Sequence, residues 1–212
     1  MNSREIVTRT LHFAGPARLA RSFAGSDIST VSYDVETPAT EWAETGGGRW
    51  ERIDEWGNLW ARVDGSSKGE VARGALDTLE NVDAYRFPDF SQPESYDAVR
   101  AARAAQPDKY LLGTLPGFAF NIARKLRRID LYLTDLLTDP ERIARLNDRI
   151  DGLIKNMMRN YAAAGADGVF FPEDWGTQTA LFIDPSLWHA EFAPRFEILC
   201  SYAHGLGLSV WM

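Results

Sequence analysis

Two adjacent acids and a tryptophan, Glu173-Asp174-Trp175, follow the apolar run Val169-Phe170-Phe171 within residues 165–176, GADGVFFPEDWG. The segment reads as a turn, a short strand and an acidic–aromatic loop at the strand's C-terminal end. In parallel α/β folds that is the end where ligands bind. Three chemistries are open to this loop. Asp174 can act as a general acid or base, with its pKa raised by burial near Trp175. Asp174 and Gln178 can hydrogen-bond a polar ligand while Trp175 stacks on it and Glu173 stands beside them. Alternatively Asp174 caps the turn by accepting backbone N–H groups of residues 175–177. Neighbours in sequence point in different directions, so Glu173 and Asp174 are a poor glycosidase carboxylate pair.

Asp34 is the second candidate for chemistry. It falls at the end of a strand expected over residues 28–35, ISTVSYDV, and either reacts from there or caps the turn before Glu36-Thr37-Pro38. Gly117 and Phe118 follow a strand expected over residues 110–115. They offer close backbone approach and an apolar wall to a ligand, or ordinary strand-to-helix packing. No metal site is expected. His12, His189 and His204 do not cluster, and Cys200 with His204 makes at most a two-ligand pair on one helix.

The elements that must position these residues follow from periodicity and punctuation. Helices are expected over residues 3–14, 91–105, 118–127, 140–164 and 185–205. Asp139-Pro140-Glu141 is a strong start: a capping acid, a proline whose missing N–H costs nothing, and an acid facing the helix dipole. Core strands are expected near residues 30, 110, 168 and 208. Helix–glycine–strand units recur, which is the grammar of a β/α barrel or a doubly wound sheet. Residues 49–63 read as a small antiparallel hairpin around Asp54-Glu55-Trp56-Gly57, projecting from the body as a pocket lid or a dimer contact.

A net charge of −7 argues against a nucleic-acid groove, and the one basic cluster, Arg124, Lys125, Arg127 and Arg128, reads as a solvated helix end. A single cysteine permits no internal disulfide and fits a cytoplasmic protein. No apolar run reaches membrane-spanning length. The chain stops inside a core-type strand, with four parallel strands where a closed barrel needs eight. The expectation is therefore a truncated (β/α)8 barrel of TIM type with a hairpin insertion, completed by a second polypeptide or by a homodimer partner.

With these residues in view, the sequence resembles the uroporphyrinogen decarboxylase superfamily. The likeness rests on residues 3–19, SREIVTRTLHFAGPARL, on Tyr85 to Glu94, and above all on residues 165–179, GADGVFFPEDWGTQT, continued by residues 204–211. The resemblance implies a (β/α)8 barrel of which roughly the last third to two-fifths lies outside this chain. It implies Asp34 as the aspartate that holds the pyrrole nitrogens of a tetrapyrrole, and Arg21 as a remnant of an arginine-rich segment for substrate carboxylates. It implies a small-molecule or tetrapyrrole-type ligand and a corrinoid or tetrapyrrole cofactor. The zinc ligands of the methyltransferase branch are absent from the chain.

The expected function is that of a protein derived from a corrinoid-linked methyltransferase acting on a small methylated substrate. Tetrapyrrole decarboxylation is the alternative within the superfamily, and a non-catalytic binding or assembly module the alternative outside it. Loop tryptophans and acids alone also suggest a carbohydrate-active barrel.

Overall fold

The computed structural model describes residues 1–23 and 25–212. Its centre is a parallel sheet of four strands: β1 (Ile28–Val31), β6 (Tyr110–Thr114), β7 (Gly168–Phe170) and β8 (Ser209–Trp211), in that spatial order. Each strand pairs only with its neighbours in the chain's own sequence of parallel strands. Tyr110 sits opposite Ile28, Gly168 opposite Leu112, and Ser209 opposite Gly168. A doubly wound sheet reverses its order, whereas strands along a β/α barrel wall follow one another in this way. The protein is a mixed α/β fold with this four-stranded parallel sheet and a separate four-stranded antiparallel sheet.

The β6 sequence YLLGT is buried on both faces, the mark of a central parallel strand. Gly113 is required by close packing. A Cβ there would lie 2.4 Å from the Tyr161 ring, whose hydroxyl donates to the Thr114 carbonyl at 2.7 Å. That ring belongs to α5 (Pro140–Ala163), which starts on the Asp139-Pro140 signal and buries Ile143, Leu146, Ile150, Ile154, Met157 and Tyr161. These positions recur at helical spacing, so one apolar stripe covers the sheet.

Other helices depart from expectation. In α1 (Ser3–Leu11) the N-cap is Asn2, which accepts the Glu5 N–H, and Ser3 instead donates to Asp27. Residues 91–105 split into a 3-10 turn, Pro93–Tyr96, and α2 (Asp97–Ala105), and the Ser91 hydroxyl bonds Asp89. After α3 (Ala119–Leu126) comes an unanticipated helix, α4 (Ile129–Thr138), which buries Tyr132 and Leu136. The last helical stretch is α6 (Pro185–Leu187), a π turn over Trp188–Phe192, and α7 (Ala193–Gly205).

The expected hairpin is a four-stranded antiparallel meander, β2 (Ala43–Gly46), β3 (Arg49–Ile53), β4 (Leu59–Arg62) and β5 (Glu70–Arg73). It does not stand free of the body. Asp54 accepts the Trp56 and Asn58 N–H groups, each at 2.9 Å, and that turn drives Trp56 into the main core. There Trp56 is 4% exposed and meets Phe87 edge-on and Phe90, so its ring belongs to the core. The basic cluster after α3 is likewise not a solvated end. Arg127 pairs with Asp135 at 2.7 Å and bonds the Leu76 and Asp77 carbonyls, while Lys125 is half-buried.

At the N-terminal ends of the strands two aspartates act as clasps. Asp167 accepts the Leu111 N–H at 2.8 Å and pairs with Arg4 of α1 and Arg103 of α2. Asp27 takes both guanidinium nitrogens of Arg18, the Ser3 hydroxyl and the Arg21 N–H, and the Arg18 bond chiefly holds its carboxyl far below the usual carboxylate range. No helix among the described residues is long and apolar enough to cross a membrane.

Candidate functional site

The loop after β7 continues the strand's alternation. Val169 and Phe171 are buried, and Glu173 and Trp175 follow with the same parity, turned inward; Pro172 and Asp174 are exposed. Glu173 is therefore delivered to the interior at the strand's C-terminal end. Its Oε1 accepts the Phe118 N–H at 2.5 Å, at the head of α3, and its Oε2 is covered with no hydrogen-bond partner. Burial dominates its electrostatics and raises its pKa to about 7, against the opposing pull of the Phe118 N–H and of Arg124 and Lys125.

An aromatic cluster holds the carboxyl in place. Trp175 stacks on Phe120 with ring centroids 4.2 Å apart, and Phe118 stacks on Phe196 at 3.8 Å. Trp188, Phe192 and Phe196 stand at four-residue spacing, so one face of the last helical stretch meets the loop. The Asn121 amide ties the loop down by donating to the Pro172 carbonyl at 3.0 Å. Beside Glu173 opens a pocket of about 650 Å³, walled by Trp175, Leu181, Ile183, Trp188 and Phe196. Its one ionisable side chain among the described residues is Glu173.

The sequence-derived candidates distribute unevenly around this pocket. Glu173 and Trp175 line it. Phe118 is fully buried behind it as core, and Gly117, at φ +138°, makes the turn that presents the Phe118 N–H; a Cβ there would sit 2.7 Å from the Asn121 amide nitrogen. Asp174 is exposed, accepting the Gly176 N–H at 3.4 Å and standing 3.5 Å from Arg124. Gln178 is exposed at the tip of the turn closed by Thr177 and Ala180. Asp34 is exposed past the end of β1, with its N–H on the Ser95 carbonyl. Arg21 is exposed and lies before β1, at the opposite end of the sheet. Sequence reading left Leu181, Ile183, Trp188 and Phe196 out of the site, because their helical or loop spacing looks like any core stripe.

No protein-family model matches the chain, and no curated protein matches it. Among solved structures, a methyltransferase from Methanosarcina mazei is similar, with a TM-score of 0.53 and 12% sequence identity. The likeness covers 65% of this chain and 41% of that one, so this chain matches well under half of its length. At that identity the likeness is one of fold.

The groups that such a fold suggests can be tested against the residues present. No set of three or more His, Cys, Asp or Glu side chains among the described residues could hold a metal ion, so a zinc site does not fit. Cys200 is half-buried, and burial pushes its thiol pKa up, away from the reactive thiolate. A tetrapyrrole brings several carboxylates, and no cation lines the pocket; a corrinoid brings a rim of amides, and the wall supplies one polar side chain. Neither fits the residues that line it.

Proposed function

We propose that this chain binds a small, largely apolar methylated molecule at the C-terminal ends of β7 and β8, as part of a methyltransferase-type protein. Glu173 in its acid form is the hydrogen-bond donor to the heteroatom that carries the methyl group. The observation that carries this reading is a carboxyl with a pKa of about 7 as the lone ionisable side chain of an apolar pocket. Such a group suits general acid catalysis at neutral pH, because both its protonated and its ionised forms are populated. The fold likeness to a methyltransferase is what supports the choice of reaction class.

Methyl transfer away from oxygen, nitrogen or sulfur leaves an electron pair on that heteroatom. The Glu173 proton would pass to it as the carbon–heteroatom bond breaks, leaving Glu173 as the carboxylate. The methyl group would go to the lone pair of an external soft nucleophile such as a thiolate. Asp34, Asp174 and Gln178 remain proposed contacts for parts of a ligand that extend out of the pocket. Because Oε2 is covered, a ligand that reaches it must displace neighbouring side chains, which couples binding to the environment of Trp175 and Trp188.

The test is a tryptophan-fluorescence titration with methoxybenzene and dimethyl sulfide from pH 5 to pH 9. Saturable binding that weakens as pH rises through about 7 is the expected result, with the pH dependence lost in Glu173→Gln. Absence of saturable binding, or binding indifferent to pH, refutes the proposal.

A further inference from the structure

A second cavity, of about 680 Å³, lies between the antiparallel sheet and the α3–α4 turn. Arg49, Arg124, Lys125 and Arg128 line it against two acids, Glu70 and Asp130. In a protein of net charge −7 this is a local excess of cations. All three of its arginines are partly neutralised. Arg128 pairs with Asp130 at 2.8 Å, Arg49 with Glu51 at 2.7 Å, and Arg124 stands 3.5 Å from Asp174.

Lys125 differs, since it takes part in none of the ion pairs formed by the described residues around the cavity. Burial, then the neighbouring Arg124 charge, lowers its pKa; Glu55, Asp54 and Glu173 pull the other way from beyond ion-pair distance. Leaving a half-buried ammonium without a close counter-charge is unfavourable. A bound anion removes that penalty, and the planar guanidinium groups nearby match its oxygens.

We propose that this cavity is a binding site for a small phosphate-bearing molecule, with Lys125 as its central contact and Arg124 and Arg128 beside it. The cavity shares no lining residue with the Glu173 pocket, although Lys125 and Arg124 also act on the Glu173 carboxyl through space. Trp60 lines the same cavity, its indole N–H held by Asp54.

The probe is inorganic pyrophosphate, titrated calorimetrically at low ionic strength, with citrate as a carboxylate control. Pyrophosphate is expected to bind at one saturable site, more tightly than citrate. Lys125→Met keeps the aliphatic stem, and it should weaken binding about tenfold or more, the loss of one charge-assisted hydrogen bond. Glu70→Gln removes a repelling acid and should tighten binding about two- to threefold. If Lys125→Met does not fold, Arg128→Met, at a proposed contact whose side chain is 44% exposed, carries the same expectation of weaker binding. Unsaturable titration, or unchanged affinity in the folded cation variants, overturns the site. Tighter binding of citrate overturns the phosphate assignment.

Discussion

Replacing Glu173 with glutamine should change how stability depends on pH, and the size follows from the structure. The folded carboxyl titrates at about 7 against 4.5 for an unperturbed one. The folded state thus prefers the proton over the window between those values. Stability from this group is fully present below pH 4.5 and is lost as pH rises through 7. Two and a half pH units correspond to about 3.4 kcal/mol, which partial exposure trims to roughly 2–3 kcal/mol. Glutamine keeps the acceptor for the Phe118 N–H but cannot ionise. At pH 5 the two proteins should be similar. At pH 8.5 Glu173→Gln should be the more stable by about 2–3 kcal/mol, or about 5–10 °C in melting temperature for a domain of this size. Urea denaturation followed by tryptophan fluorescence, repeated between pH 5 and 8.5, measures the difference. Parallel pH profiles for the two proteins would refute the reasoning.

Three further outcomes follow. Gly113→Ala places a Cβ against the Tyr161 ring, which is fixed on Thr114, and should cost about 3 kcal/mol or more in denaturant unfolding. Asp167→Ala leaves Arg103 and the Leu111 N–H without their acceptor in a site 6% exposed, and should cost about 3 kcal/mol by the same assay. Asp34→Asn touches an exposed side chain and should shift stability by less than about 0.5 kcal/mol, and it should leave the pH dependence of ligand binding to the Glu173 pocket in place.

The frame of the fold was legible where local chemistry and tertiary need agree. Asp139-Pro140 opens α5, its apolar stripe repeats every three or four residues, and the unbroken apolar run of β6 marks a covered strand. Elements carried by tertiary context were not legible. Strands β2 and β5, AETG and EVAR, are short and polar, and exist because β3 and β4 offer them edges. Helix α4 lacks a side-chain cap, and its start at Arg128 has a positive φ of 63°, so no start signal announces it. At the site, the sequence placed an acid at the end of β7 but favoured Asp174. Period-two parity was the available signal: Glu173 shares it with the buried Val169 and Phe171, and Asp174 does not. Asp34 came from its place at a strand end and from a resemblance, Arg21 from the resemblance alone, and the described fold sets Arg21 at the far end of the sheet.

The reading of the site rests on a carboxylic acid whose pKa burial raises to about 7. Carbon-13 NMR titration of the glutamate side-chain carboxyls, with Glu173 assigned by its loss in Glu173→Gln, measures that directly. The account requires a midpoint near 7 for Glu173. A midpoint close to the ordinary 4.5 would contradict it.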